Sequence, residues 1–336
     1  NNLERIKKED IELNFGNSGT SMRLMMGVLS AQIFSSILSG DESLSQRPMN
    51  RVSKPLINMN ANIKTSNGKP PIFISPVDDI KNVDHKIHIA SAQIKSAIML
   101  AGLYGRDPFT ITTPKSRDHT EIMLNEFGCN ITLKSDSINV IPSKLTSPKI
   151  IDIPGDISSA AFFIVGSIMS KNSQVKIENI GLNPLRTGFI DILRMMGASI
   201  EILNLKKVNG ELVGDINVES SELEGIKIPK DLIASSIDEL PLIILAASQA
   251  EGKTSIRNAE ELRFKESDRI SSMAKMMERF NIPIDEFNDG IDIYGGVIEG
   301  NTINSFGDHR IAMTALLASL VSNGDIIVEN TVNIDT

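Results

Sequence analysis

The segment Gly16-Asn17-Ser18-Gly19-Thr20-Ser21-Met22-Arg23 runs directly into the apolar stretch Leu24-Met25-Met26-Gly27-Val28-Leu29. Small residues open it, a polar cap candidate sits inside it, and an apolar helical run leaves from it. The pattern predicts a helix N-terminus whose first N–H groups face outward. Such an end attracts anions through its orphan donors and the positive end of the helix dipole. Arg23 falls in the first turn or two and would add a full charge. An ordinary capped helix start is the plainer alternative. The rest of the chain has to decide between them.

The same phrase returns four times. Ser91-Ala92-Gln93-Ile94-Lys95-Ser96 leads into 97–102, and Gly155-Asp156-Ile157-Ser158-Ser159 into 160–169. Ser236-Ile237-Asp238-Glu239 leads into 240–250, and Gly307-Asp308-His309-Arg310 into 311–321. A strand follows each of these helices. A second phrase alternates with the first at 120–131, 189–200 and 267–284: an amphipathic helix, a tight turn, then an alternating strand. Starts recur about every 70 residues, too far apart for a solenoid. Helix, strand, helix, strand, strand is therefore the repeat, which makes the chain α/β. Stretches 64–71 and 204–214 read as hairpin turns.

Pro142, Pro148 and Pro154 punctuate the approach to Gly155 and divide the chain into a first domain, 1–154, and a second, 155–336. Five visible starts suit two equal domains only if one more unit precedes Asn1. Residues 1–10 carry neither an initiator Met nor a signal-peptide core, as expected for the interior of a longer chain.

The 336 residues are 41% hydrophobic but only 4% aromatic, with no Trp, so the cores must be aliphatic. A net charge of −8 argues against a nucleic-acid partner, though a few converging arginines can still hold a small anion. The lone Cys129 excludes an internal disulfide and a cysteine zinc site. It reads as buried core and fits a reducing cytoplasm. No apolar run reaches membrane-spanning length. His85 and His88 fall on opposite faces of an alternating strand, which argues against shared metal binding.

Charge is densest in Glu260-Glu261-Leu262-Arg263-Phe264-Lys265-Glu266-Ser267-Asp268-Arg269. A solvated loop with a cap at Ser267 or Asp268 is one reading. A ligand loop is the other, since the cluster lies between a strand and a helix and ends on an arginine opposed to the helix dipole. Arg310 and Arg23 share that oddity, and three such arginines at equivalent points of the repeat suggest clamps for phosphate or carboxylate. Arg47, just before Pro48, is placed on an exposed turn. Asp238 is either the N-cap of the fourth helix or a general base, with Glu266 as a proton donor.

Taken together, 16–23, Arg47-Pro48-Met49, 91–97, 116–121, 155–161, Asp238-Glu239, 262–270 and 307–313 resemble, in order, the motifs of the EPSP synthase (3-phosphoshikimate 1-carboxyvinyltransferase) family. The resemblance spans nearly the whole chain. It implies an enolpyruvyl transferase fold of two similar domains, each of repeated βαβαββ units, here without the first unit and the C-terminal tail. It also implies transfer of the enolpyruvyl group of phosphoenolpyruvate to the 5-hydroxyl of 3-phosphoshikimate. Carried over by residue, Gly19, Arg23, Arg47, Gln93, Arg269 and Arg310 would hold phosphoenolpyruvate, with Gly19 at the place where glyphosate competes. Ser91, Gln93, Arg117, Asp238 and Lys265 would hold 3-phosphoshikimate. Asp238 and Glu266 would be the catalytic acids. No cofactor, metal, nucleic acid or membrane is called for, and a monomer is expected. The family's Gly-Asp-Lys-Ser motif is absent from these residues.

Two relatives by architecture serve as rivals. The carboxyvinyl transferase acting on UDP-N-acetylglucosamine commonly uses a loop cysteine, whereas Cys129 sits at a helix end. RNA 3′-phosphate cyclase suits the acidic balance poorly. A non-catalytic binder of phosphorylated small molecules would not need Asp238 and Glu266.

Overall fold

The computed structural model describes residues 10–334; the residues read above at 1–9, and Asp335-Thr336, lie outside them. The chain divides into two compact units between Ile151 and Asp152.

Unit 1 opens with β1 (Ile11–Asn14), α1 (Gly19–Leu29), β2 (Ser36–Ser39), α2 (Glu42–Gln46), α3 (Asn50–Asn58), β3 (Asn62–Ser66) and β4 (Lys69–Ser75). It continues with β5 (His85–Lys86), α4 (Ala92–Gly102), β6 (Phe109–Thr112), α5 (His119–Glu126), β7 (Asn130–Leu133) and β8 (Ser137–Ile141). Its two sheets have one topology. In the order β1-β2-β4-β3 and again β5-β6-β8-β7, the first pair is parallel and the others are antiparallel. The parallel pair needs a crossover, which α1 and α4 supply, while the antiparallel pair closes with a tight turn. Each repeat is thus βαβαββ, with one strand ahead of the helix that opened the sequence phrase.

Unit 2 comprises α6 (Ile157–Met169), β9 (Gln174–Gly181), α7 (Gly188–Met195), β10 (Ile200–Val208), β11 (Glu211–Glu219), α8 (Lys230–Ser236) and α9 (Leu240–Ala247). Then come β12 (Lys253–Ile256), a 3₁₀ turn (Glu260–Phe264), α10 (Arg269–Arg279), β13 (Ile284–Phe287), β14 (Gly290–Tyr294), β15 (Thr302–Asn304), α11 (His309–Ala318) and β16 (Ile327–Glu329). The repeat persists with a reduced leading strand. Parallel bridges Gly155 to Ile180 and Lys227 to Ser255 stand in for it, and β15 pairs parallel with β16.

Packing follows from composition. Each unit has its own aliphatic core. All eight residues of α9 are buried, as a helix apolar on every side must be. In unit 1, α1 lies so close to α4 that a Cβ on Gly27 would come within 2.2 Å of the Ala97 carbonyl oxygen. Side-chain caps begin the helices that carry the candidate residues. Ser18 accepts from Ser21 N–H, Ser91 from Ile94, Asp156 from Ser159, Asp268 from Ser271 and Asp308 from Arg310. Among the described residues, no helix is long and apolar enough to cross a membrane.

Candidate active site

In unit 1 the start of α1 gathers four of the expected residues. Gly19 is the first residue of the helix, and a Cβ there would stand 3.2 Å from Arg23 Nη1 and 3.3 Å from Arg47 Nη1. The missing side chain is what lets both guanidiniums close over the helix start. Arg23 Nη1 donates to Gln93 Oε1 at 2.8 Å, and Gln93 Nε2 donates to Thr20 Oγ1 at 2.7 Å. Arg47 Nη2 donates to Asn17 Oδ1 at 2.7 Å, while Asn17 Nδ2 donates to Asp41 Oδ2 at 2.7 Å. Amide side chains thus aim both arginines. Arg47 is half-buried and turned back onto Asn17, which corrects its placement on an exposed turn. A proline after it breaks the local helix but does not decide where a long side chain lies.

Ser91, at the start of α4, uses its hydroxyl as the helix cap, 3.4 Å from Ile94 N. Arg117 lies in the loop from β6 to α5, half-buried. That loop is anchored by a pair the sequence reading passed over. Lys95 Nζ lies 2.5 Å from Glu121 Oε1 and donates to the Ser116 carbonyl at 3.1 Å, with both side chains almost wholly buried. Burial pushes the Glu121 carboxyl above its usual range, against the pull of Lys95. One signal was available, a lysine inside an otherwise small and apolar helix.

In unit 2 the loop 260–268 and the starts of α9, α10 and α11 bring together Asp238, Lys265, Glu266, Arg269 and Arg310. Arg269 is the hub. It is the first residue of α10 and 1% exposed; its Nε and Nη2 donate to Asp308 at 2.8 and 3.3 Å, and Nη2 donates to Glu266 Oε2 at 2.7 Å. Its Nη1 lies 3.5 Å from Asp238 Oδ1 and, though buried, makes no hydrogen bond. Lys265 Nζ donates to the same Asp238 oxygen at 3.2 Å. Arg310 Nη1 donates to the Asp238 carbonyl at 3.0 Å. Arg263 fastens the loop, donating to Asp268 at 2.7 Å, Glu286 at 2.9 Å and the Phe287 and Asn288 carbonyls at 2.7 Å each.

Asp308 is fully buried. Burial works against its charge, but Arg269 and the Arg310 N–H bond outweigh that and hold the carboxyl below its usual range. The same carboxylate overrides burial to keep Arg269 firmly charged.

Two expectations need correction here. Asp238 is not a helix cap: α9 begins after Glu239, and Asp238 faces Lys265 and Arg269 instead. Nor do the three arginines stand at equivalent points. Arg269 is the first residue of its helix and Arg310 the second, whereas Arg23 is the fifth, one turn deeper. The reading also assigned nothing to Asp308 or Glu239, because an acid at a helix start is fully accounted for by capping.

Comparisons with known proteins agree with one another. The profile of a family described as EPSP synthase (3-phosphoshikimate 1-carboxyvinyltransferase) matches residues 2–336. A 3-phosphoshikimate 1-carboxyvinyltransferase of Hydrogenovibrio crunogenus is 45% identical, over 99% of this chain and 77% of that protein. One from Petrotoga mobilis is 47% identical over 95% of this chain and 75% of its own length. Among solved structures, EPSP synthase from Acinetobacter baumannii superposes with a TM-score of 0.86 at 42% identity, covering 97% of this chain and 76% of that one. The enolpyruvyl transferase NikO from Streptomyces tendae, at TM-score 0.66 and 16% identity, covering 87% and 69%, shares the fold.

Proposed function

The chain belongs to the EPSP synthase family, and from that premise we propose how its residues divide the reaction. The reaction transfers the enolpyruvyl group of phosphoenolpyruvate to the 5-hydroxyl of 3-phosphoshikimate and releases phosphate, a step of aromatic biosynthesis. Both substrates are anionic, so guanidinium forks supply affinity and orientation together. Arg23, Arg47 and Gln93, gathered around Gly19, and Arg269 and Arg310 bind phosphoenolpyruvate. Ser91, Gln93, Arg117 and Lys265 bind 3-phosphoshikimate, with Asp238 at its reacting hydroxyl.

Asp238 takes the proton of the 5-hydroxyl as that oxygen bonds to the central carbon of phosphoenolpyruvate. Glu266 delivers a proton to the methylene carbon, which completes a tetrahedral adduct. Elimination reverses the proton traffic: the new methyl group loses a proton, the carbon–phosphate oxygen bond breaks, and phosphate leaves.

One observation supports this division above the others. Asp238 and Glu266 both border the buried Arg269, at 3.5 and 2.7 Å. The two acids meet different cations: Asp238 meets both Lys265 and Arg269, and Glu266 accepts from Arg269 Nη2. An anionic substrate arriving at Arg269 competes with both acids for the one guanidinium, so its binding and the two acids are coupled.

Phosphate release by the full-length protein, measured with each substrate alone and with both, tests the reading. Release that needs both is expected. Release from phosphoenolpyruvate alone, or none at all, would overturn it. In a thermal-shift assay, glyphosate with 3-phosphoshikimate should stabilise more than either alone, and UDP-N-acetylglucosamine should not stabilise at all.

A further inference from the structure

Beside Asp238 stands a second acid with no part in the steps above. Glu239 occupies the N-cap position of α9, where a carboxylate ordinarily accepts from the helix N–H groups, yet its side chain makes no capping bond. It is 1% exposed. A carboxylate so far from water needs strong partners, and these come from elsewhere in the unit. Glu239 Oε1 accepts the Ser158 hydroxyl at 2.5 Å and lies 3.5 Å from Arg310 Nη1. Ser158 Oγ in turn accepts from Arg186 Nη2 at 2.7 Å, and that nitrogen also donates to Asp156 Oδ1 at 2.8 Å.

A chain of contacts therefore runs Arg186, Ser158, Glu239, Arg310, from the turn before α7 through the starts of α6 and α9 to the start of α11. At its end, one nitrogen of Arg310 meets both the Glu239 carboxylate and, at 3.0 Å, the Asp238 carbonyl. Two anchors on one nitrogen fix the plane of the guanidinium and hence the direction of its remaining donors. Ser158 holds Glu239 in place for that task, and Arg186 holds Ser158.

We propose that Glu239, held by Ser158, is the positioning residue for Arg310, so that it sets affinity for phosphoenolpyruvate and leaves proton transfer to Asp238 and Glu266. The inference rests on Arg310 binding phosphoenolpyruvate, as assigned above. It separates two neighbouring acids by role: Asp238 acts on the reacting hydroxyl, and Glu239 acts only through the arginine.

Steady-state kinetics of the full-length protein test it. Glu239→Gln keeps the shape and an acceptor oxygen but removes the charge. It should raise KM for phosphoenolpyruvate ~10-fold while changing kcat and KM for 3-phosphoshikimate less than ~3-fold. Ser158→Ala should show the same split with a smaller rise, and it keeps the test open if the glutamine variant does not fold. In an Arg310→Lys background, Glu239→Gln should add almost nothing, because its target is gone. A lower melting temperature in Glu239→Gln or Ser158→Ala with KM unchanged would make the chain a structural strut and overturn the proposal. So would full additivity with Arg310→Lys. If Arg310→Lys itself leaves that KM unchanged, the assignment of Arg310 fails and this inference with it. If Arg310→Lys raises it and neither Glu239→Gln nor Ser158→Ala does, this inference fails alone.

Discussion

Arg47 in unit 1 and Arg269 in unit 2 are both assigned to the same anionic substrate, yet they are held by opposite chemistry. Arg47 is half-buried and docks on the Asn17 amide and, at 3.3 Å, the Ser43 hydroxyl, just as Arg23 docks on Gln93. In those bonds each guanidinium is oriented by a neutral side-chain oxygen. Arg269 is buried among Asp308, Glu266 and Asp238. Its charge is offset by acids, and in return it fixes their geometry and holds the Asp308 carboxyl below its usual range. The amide-docked arginines suit capture of an anion. The acid-caged one suits chemistry, because Asp238 and Glu266, the acids proposed to move protons, are among the groups it holds.

The largest effect that would sharpen this contrast is on turnover. Asp238→Asn should lower kcat ~100-fold to 10,000-fold with much less change in KM. Arg47→Lys should do the reverse, because a point charge replaces a fork. Matching kinetic signatures for the two would erase the distinction.

Stability comes next. Arg269→Met leaves Asp308, fully buried, without its ion partner, and should cost ~3–5 kcal/mol in denaturant unfolding. Arg47→Met, losing the half-buried bonds to Asn17 and Ser43, should cost less, about 1 kcal/mol. Equal losses would mean that the unit 1 arginines are framework too.

A smaller effect is expected at Gly19. An added methyl would crowd Arg23 Nη1 and Arg47 Nη1 by a few tenths of an ångström, and both are ends of flexible side chains. Gly19→Ala should therefore raise KM for phosphoenolpyruvate a few-fold, by roughly the misplacement of one contact, with the melting temperature unchanged. A melting temperature that falls while KM holds would show that the two arginines brace the fold.

The smallest is a difference in acid sensitivity. Asp308 has a lowered carboxyl, so its contribution is present above the unfolded value and is lost as pH falls toward its folded one. Glu121 has a raised carboxyl, so its contribution is present below the unfolded value and lost as pH rises through the folded one. Acidification below about pH 5 should weaken unit 2 first. The two tyrosines, Tyr104 and Tyr294, lie one in each unit and can report separately. With the other tyrosine changed to Phe, Tyr294 fluorescence should show its acid transition at higher pH than Tyr104 fluorescence. Coincident midpoints would count against it.

Much of this was legible in the chain itself. The five helix starts, the alternation of helix with hairpin and a cap at Ser267 or Asp268 are read from sequence because they depend on residues within a few positions of each other. Residue types pointed to anionic ligands, and long motifs pointed to the family. Partnerships were another matter. Asp238 looked like a cap because capping is local, whereas its partners Lys265 and Arg269 arrive from another helix start. The Lys95–Glu121 pair and the Ser158–Glu239 bond join residues that only packing brings together. Sequence alone determined the repeat, the aliphatic cores and the supply of arginines and acids, since these follow from local propensity and composition. Only the tertiary structure decided which arginines are docked on amides and which are caged by acids. A buried charge is fixed by whatever the fold sets within about 4 Å of it, and its neighbours in sequence do not determine that.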